Sequence, residues 1–267
     1  MIDNPGIGNN STANRKIVID IEHLKKTFGG YEVLKDIDLK VYRGETLITL
    51  GKSGSGKSVT LKCIVGLMMP TSGKVSVLGK DVQKLTINEL QDLRRHIGFI
   101  FQSGALYDSM SVRENLEFPL ERHEKLSPDE VENRIKEALS DVGLAESIDM
   151  MPSELSGGMR KRVAIARAIS LNPRYLFCDE PNSGLDPITA ILIDALIKEI
   201  TVEYCMTTIV NTHDMNSVME IGEKILFISE GIKCWEGSKN DILNSDCDKL
   251  NDFVFANSLA KQLRNSK

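Results

Sequence analysis

The amino-acid sequence predicts an α/β fold: a largely parallel sheet, a β-rich N-terminal part with antiparallel strands, and an inserted helical subdomain. Short apolar runs typical of buried strands alternate with helical stretches, which is the order found in parallel α/β sheets. β-like runs follow one another between residues 16 and 41, and residues 111–170 are largely helical in pattern. A length of 267 residues is enough for one large domain with such an insertion.

Seven runs have the apolar character expected of strands, either alternating with polar residues or continuous. They are residues 37–41, 46–50, 74–78, 97–101, 175–178, 207–211 and 224–228. A glycine-rich loop and a helical stretch to Gly66 follow the second run, and a helical stretch near 188–204 precedes the sixth. Within the helical segment, Ser111, Ser127 and Ser156 are candidate N-caps.

The chain divides into three predicted parts. Residues 1–15, rich in Asn, Gly and Ser, predict a flexible leader. Residues 16–245 predict one domain, which contains the helical subdomain at about 103–170. Residues 246–267 predict a helical tail that docks on its own domain, because five apolar residues are spaced along one helical face. These are Leu250, Phe253, Ala256, Ala260 and Leu263.

Composition excludes several classes of protein. With 33 basic and 38 acidic residues the net charge is −5, so a general polyanion-binding protein is not expected. No apolar stretch approaches the ~18–20 residues needed to cross a bilayer, and the N-terminus lacks the apolar core of a secretory signal. Five scattered cysteines without a C-x-x-C pair predict a reduced compartment, with neither a disulfide framework nor a zinc site. We therefore expect a cytoplasmic protein.

The glycine-rich loop matches G-x-x-x-x-G-K-S and lies between a predicted strand and a predicted helix. Its glycines let backbone N–H groups point at phosphate oxygens, and the helix presents its positive end to them. Lys57 would add a positive charge at the β- and γ-phosphates, and Ser58 a hydroxyl for Mg²⁺. The eight residues are Gly51, Lys52, Ser53, Gly54, Ser55, Gly56, Lys57 and Ser58. The alternative, a glycine-rich turn followed by Lys-Ser by chance, is disfavoured by the flanking elements.

Two carboxylates follow the apolar run at residues 175–178. Asp179 at the strand tip can hold Mg²⁺, and Glu180 can face the attacking water as general base. Such a pair alone is weak evidence for a catalytic site, since strands often end in exposed acidic residues. Together with the glycine-rich loop, it predicts a site that hydrolyses a nucleotide.

A second phosphate-binding helix start is predicted at Ser156, Gly157, Gly158 and Met159. Two glycines and a serine at a helix N-terminus form an anion-binding nest. Since only the first loop has the strand–loop–helix context, we expect this nest to bind the nucleotide of another subunit. The alternative is a serine cap on an amphipathic helix.

These motifs, with Gln102 and His213, occur in the order found in ATP-binding-cassette (ABC) ATPases, and the resemblance covers residues 17–240. It implies the P-loop NTPase fold, with ATP and Mg²⁺ as ligands. Phe28 is similar to the aromatic residue that stacks on adenine, and Gln102 to the residue that contacts the γ-phosphate and Mg²⁺. His213 is similar to the histidine that touches the γ-phosphate, and Asp186 to the acid that communicates across the dimer. Taken alone, Phe28 would more simply be core and His213 structural.

Two segments resemble one subfamily of these ATPases more specifically. Residues 101–115 and 151–159 are similar to the ATPases of Mla-type phospholipid-trafficking systems. Met159, where the wider family usually has Gln, is similar to what that subfamily uses. Asn182 replaces the usual small hydroxyl residue, and the sequence does not define the consequence.

In this family, the segment after the Gln contacts the coupling helix of a membrane permease. Residues 102–120 have the mixed character of an interface; its members are Leu106, Tyr107, Met110, Arg113 and Glu114. The alternative is that these residues pack the helical subdomain. Residues 160–162, Arg-Lys-Arg, are expected to be a solvated helix face rather than a nucleic-acid patch.

The sequence therefore predicts a subunit that binds and hydrolyses ATP between two identical subunits arranged head to tail. It would lie on the inner face of the cell membrane through a separate integral membrane permease. The Mla-type resemblance implies phospholipid cargo and a lipid-binding substrate protein, with no nucleic-acid partner. The alternatives are the ATPase of another importer or exporter, a non-transport ABC protein acting on DNA or ribosomes, and a P-loop kinase, which would leave His213 and the nest without a role.

Overall fold

A computed structural model describes residues 16–256; the predicted leader and Ala260 and Leu263 of the predicted tail lie outside this range. The strands are β1 Ile17–Phe28, β2 Tyr31–Tyr42, β3 Thr46–Leu50, β4 Ser72–Val77, β5 Lys80–Asp81, β6 Ile97–Ile100, β7 Tyr175–Asp179, β8 Thr207–Thr212, β9 Lys224–Ser229 and β10 Ile232–Ser238. The α-helices are α1 Lys57–Ile64, α2 Ile87–Arg95, α3 Val112–His123, α4 Pro128–Asp141, α5 Gly157–Ile169, α6 Pro187–Glu203, α7 Met215–Ile221 and α8 Asp248–Val254. All seven predicted strands are present. Six agree with the structure to within two residues at their ends, whereas the first, predicted at 37–41, is part of β2, which begins at Tyr31.

The described strands form one sheet in the order β5-β4-β1-β2-β10-β9-β3-β8-β7-β6. Strands β9, β3, β8, β7 and β6 pair in parallel, whereas β1 is antiparallel to β2 and β4. This confirms the predicted α/β fold with an antiparallel N-terminal part. Leu50 pairs with Thr212, and Asp179 with Asn211. The carboxyl ends of β3, β8 and β7 therefore meet at one edge, where ligands bind in open α/β sheets.

Strands β3, β7 and β8 are buried along their whole length, which explains why their apolar runs do not alternate with polar residues. Neighbouring residues on a strand point to opposite faces, so Leu47 and Ile48 join different apolar clusters. One cluster contains residues of β1, β2 and α1, and the other contains the core of the helical subdomain. The site edge of the sheet is thus packed from both faces.

Helices α3, α4 and α5 of the helical subdomain each begin at a predicted serine cap. Ser111 and Ser127 form capping boxes with Glu114 and Glu130, and Ser156 caps α5 through its hydroxyl. These caps were predictable because each depends on a few consecutive residues.

Lys161 contradicts the expectation that residues 160–162 form a solvated face. Arg160 is exposed, but Lys161 is only 7% exposed. It lies where α5 packs against the loop after β6, and its Nζ donates a hydrogen bond to the backbone carbonyl of Gln102. Three consecutive charges normally indicate solvent exposure, and here tertiary packing buries the middle one.

Helix α8 places the start of the predicted tail on its own domain. Leu250 is fully buried, and the ring of Phe253 lies 5.5 Å from that of Phe227 in β9. Within residues 16–256, no helix combines the length and apolar character that crossing a membrane requires.

Candidate active site

The loop at residues 51–56 connects β3 to α1 at the site edge of the sheet. Gly56 has φ +109°, and a Cβ there would lie 2.4 Å from Cδ2 of Leu34. A Cβ on Gly51 would lie 2.3 Å from the carbonyl oxygen of Ile228. Both positions therefore require glycine, and their close contacts set the path of the loop against β2 and β9.

Helix α1 begins without a side-chain cap, because its N-cap is Gly56. The free N–H groups of its first turn and its positive end therefore favour an anion. Lys57 is 5% exposed, and its Nζ donates to the carbonyls of Gly51 at 2.7 Å and Lys52 at 3.1 Å. The same ammonium lies 3.1 Å from Oε1 of Glu180, so it joins the loop to the end of β7.

Asp179 ends β7 and is almost fully buried. Its Oδ1 accepts hydrogen bonds from Oγ of Ser58 at 2.7 Å and from Nδ2 of Asn211 at 3.0 Å. Carboxylate and hydroxyl oxygens are the ligands that Mg²⁺ prefers, so these residues fit the predicted magnesium site. The sequence prediction missed Asn211; the available signal was an amide side chain in a strand whose other residues are threonine, isoleucine and valine.

Glu180 has a positive φ of +52°, a conformation that non-glycine residues rarely adopt. Its N–H donates to the carbonyl of Asn211 at 3.0 Å, which fixes this turn. Its side chain is 11% exposed, and Oε2 lies 2.7 Å from Nδ1 of His213. The turn thus directs the carboxylate away from β7 to a point between Lys57 and His213.

One cleft brings eight of the eighteen predicted site residues together. Its lining comprises Val33, Ser53, Gly54, Gly56, Lys57, Ser58, Val59, Gln102, Glu180 and His213. Nε2 of Gln102 donates to Oγ of Ser183 at 3.1 Å, which holds this side chain beside the segment after Glu180. Val33 and Val59 were not predicted, because nothing in the local pattern distinguishes them from core valines.

Some predicted nucleotide-binding residues do not line this cleft. Lys52 and Ser55 line a neighbouring cavity of about 620 Å³ that α8 also borders. Gly51 contributes its carbonyl to Lys57 instead. Phe28 is 43% exposed at the end of β1, with Nζ of Lys26 lying 5.0 Å from its ring centre. The role of Phe28 in stacking therefore stays a prediction.

The second helix start lies apart from the cleft. None of Ser156, Gly157, Gly158 and Met159 is in the cleft lining, and Ser156 and Gly157 are exposed. Oγ of Ser156 accepts the N–H of Met159 at 3.2 Å. A Cβ on Gly158 would lie 2.7 Å from Cγ2 of Thr189, so this glycine is required where α5 meets α6.

Asp186 caps α6 beside this helix start. Its carboxylate accepts hydrogen bonds from the Thr189 hydroxyl at 2.5 Å and from the N–H groups of Ile188 and Thr189. These bonds, the one from the hydroxyl above all, lower the pKa of Asp186. Leu185, in the same segment, packs against Gly157. The segment that contains Asp186 therefore supports the nest of its own chain.

Asn182 joins the turn at Glu180 to two helices. Its Nδ2 donates to Oγ of Ser217 in α7 at 3.1 Å, and both side chains lie beside Asp194 of α6. Asp194 is 2% exposed, and burial raises its pKa. Asn182, whose consequence the sequence did not define, is thus part of a buried polar cluster behind the cleft.

The protein-family model described as "ABC transporter" matches residues 34–183 of the chain. The matched range includes the whole glycine-rich loop and ends at Ser183.

Three curated proteins are similar over most of the chain. The probable ribonucleotide transport ATP-binding protein mkl of Mycobacterium leprae is 34% identical over 93% of this chain and 72% of its own length. The methionine import ATP-binding protein MetN of Clostridium acetobutylicum is 41% identical over 80% of this chain and 67% of its own. The intermembrane phospholipid transport system ATP-binding protein MlaF of Haemophilus influenzae is 36% identical over 85% and 86%.

A solved structure is similar in both fold and sequence. The ATP-binding cassette MJ0796, a dimer in a post-hydrolysis state bound to ADP and Pi, has a TM-score of 0.76 and 34% identity. The similarity covers 82% of this chain and 98% of that cassette.

Proposed function

The chain belongs to the ABC transporter family as an ATP-binding, ATP-hydrolysing subunit, and we propose that it acts as a homodimer on a phospholipid-trafficking permease. The family match agrees with the resemblance drawn from the motifs. The similar curated proteins carry the names of transport systems, which supports transport over the alternatives acting on DNA or ribosomes. The observation that carries the proposed chemistry is the contact of Lys57, Glu180 and His213 in one cleft.

In the proposed reaction, Glu180 is the general base. It takes a proton from the water that attacks the γ-phosphorus, and the bond to the bridging oxygen of the β-phosphate breaks. Lys57 and the loop N–H groups bind the phosphates. Lys57 contacts Oε1 of Glu180 and His213 contacts Oε2, so each oxygen has its own partner. When phosphate oxygens take over Lys57, Oε1 is free to accept the proton while His213 keeps the carboxylate oriented.

Three residues would hold Mg²⁺ in this site: Ser58, Gln102 and Asp179. The ion, when bound, neutralises charge on the β- and γ-phosphate oxygens. Asn211 donates to the same oxygen of Asp179 as Ser58 does, and this fixes the carboxylate against the loop. Asn211 is thus a positioning residue for the ligand set.

The proposed dimer is supported by the separation of the two helix starts. The exposed N-terminus of α5 lies outside the cleft of its own chain, so we place the partner's nucleotide there. The dimeric state of the similar ADP-bound cassette supports this arrangement. In such a dimer Ser156, Gly157, Gly158 and Met159 would complete the partner's site.

The permease would contact the segment after Gln102 on its exposed aromatic side. Tyr107 and Phe118 are 45% and 40% exposed, and their rings lie 5.3 Å apart. Arg113 forms salt bridges with Glu132 and Asp149. For this residue, the structure therefore agrees with the alternative, in which the segment packs the helical subdomain. Through this surface the chain would sit on the inner face of the membrane.

The phospholipid assignment is supported by the similarity to MlaF over most of both chains and by the segments 101–115 and 151–159. Relatives named for ribonucleotide and methionine transport are the competing candidates.

Affinity purification of the native complex from membranes, followed by lipid analysis, tests the cargo. Co-purification of a multi-span permease, a lipid-handling subunit and phospholipids would support the proposal. Recovery with a permease for another solute would overturn the cargo and leave the ATPase intact. Tyr107→Ala with Leu106→Ala should release the permease without loss of ATP binding. Ile87→Ala, at an exposed apolar residue of α2, is the matched control.

A further inference from the structure

Helix α5 is connected to the loop after β6 at two places. Nζ of Lys161 donates to the backbone carbonyl of Gln102. Further along, the guanidinium of Arg167 donates to the carbonyls of Gly104 at 2.9 Å and Ala105 at 2.8 Å. The same helix begins at Ser156. One rigid element therefore carries the nest at its end and the loop of Gln102 on its flank.

Lys161 is not explained by the stability of the fold. It is almost fully buried, and its ammonium donates to a neutral backbone carbonyl rather than to a carboxylate. A buried ammonium bonded to a carbonyl keeps a desolvation cost that a well-packed apolar side chain of similar size avoids. A well-packed apolar side chain at position 161 would therefore stabilise the fold more than lysine does.

We propose that Lys161 is a positioning residue for Gln102 and ties this residue to the helix that carries the nest. A charge-assisted hydrogen bond is stronger than a neutral one, and burial strengthens it further. Gln102 is then held at both ends, its carbonyl by Lys161 and its side-chain amide by Ser183.

The consequence is a link between two nucleotide sites. The inference rests on the proposed function, in which Gln102 is one of the residues that would hold Mg²⁺ at the γ-phosphate of its own site and the nest contacts the partner's nucleotide. Movement of α5 toward the partner's nucleotide would move the carbonyl of Gln102 with it. Lys161 would thus align Gln102 in one site when the other site closes.

The test compares Lys161→Met with the wild-type chain in thermal stability, ADP affinity and steady-state ATP hydrolysis. Since Met removes a buried charge and keeps the volume, the melting temperature should be equal or higher. ADP lacks the γ-phosphate, so its affinity should stay within about twofold, whereas kcat should fall about tenfold with KM within about threefold. Lys161→Gln, which keeps a donor, should recover part of kcat. Arg160→Met, on the exposed neighbour, is the matched control and should keep wild-type kcat.

Two results would overturn this proposal. Wild-type kcat in Lys161→Met would remove the positioning role. Parallel loss of melting temperature, ADP affinity and kcat, or failure to fold, would make Lys161 merely structural. A different result would contradict the proposed function itself: hydrolysis of ATP by Glu180→Gln at the wild-type rate.

Discussion

The two helix starts of this chain that can bind phosphate differ in what surrounds them. At α1 the cap is a glycine without a side chain, and Lys57, Glu180 and His213 are in contact. At α5 the hydroxyl of Ser156 already caps the helix, and the first turn contains no acidic residue. The α1 start thus has ionisable groups for chemistry, whereas the α5 start has N–H groups and a hydroxyl.

This difference shows that an anion site and a hydrolytic site need different residues. Backbone N–H groups at a helix end can bind a phosphate, but removing a proton from water needs a base held at a defined place. The α5 start has the first property and lacks the second. We therefore assign chemistry to the α1 start and completion of a partner's site to the α5 start.

Among the substitutions that test this comparison, removal of the general base Glu180 should have the largest effect on ATP hydrolysis. Glu180→Gln keeps the shape of the side chain and loses the proton acceptor, so hydrolysis should fall about 10²–10⁴-fold. ATP binding should persist, and dimers should accumulate with ATP on size-exclusion chromatography. Glu236→Gln, at a carboxylate paired with Lys224 and Lys233 away from the cleft, is the control. Turnover near wild type would remove Glu180 from this role.

A mixing experiment tests whether the two starts belong to one site in different subunits. Ser156→Arg should stop hydrolysis by placing bulk and charge in the partner's phosphate site, while the ATP affinity of the monomer stays near wild type. Lys57→Ala should stop hydrolysis in its own cleft. A mixed dimer keeps one site without either substitution, so an equal mixture should recover up to about a quarter of wild-type activity if pairing is random.

The same experiment can reject the assignment. If Ser156→Arg loses ATP affinity as an isolated monomer, the nest belongs to the cleft of its own chain. If the mixture stays inactive although mixed dimers form, the sites are not shared between subunits.

The features that the sequence predicted well are local. The glycine-rich loop and the serine caps each depend on a few consecutive residues, so spacing alone indicates them. The two acids at the end of β7 are also consecutive, and the presence of the loop identified them as site residues. The sheet was predictable because fully buried strands appear as continuous apolar runs.

The features that the sequence did not predict depend on contacts between distant segments. Asn211 meets Asp179 across 32 residues, and Lys161 meets Gln102 across 59. Side-chain type alone does not indicate such partners, so Asn211 was missed and Lys161 was expected in solvent. The positive φ of Glu180 is likewise invisible in the sequence, since a carboxylate after a strand gives no sign of the turn that orients it.

The smallest expected effect concerns Asp186, which caps α6. Hydrogen bonds from the Thr189 hydroxyl and from two N–H groups hold its pKa below the ordinary 3.8. When the folded pKa lies below the unfolded one, the contribution to stability is full above the unfolded pKa and is lost as pH falls through the folded pKa. Asp186→Asn keeps a good capping side chain without the charge. The melting temperature of wild type should therefore exceed that of Asp186→Asn by a small, constant amount between about pH 7 and pH 5, and this difference should shrink below about pH 4. A difference that does not change with pH would mean that geometry, and not the charge of Asp186, stabilises α6.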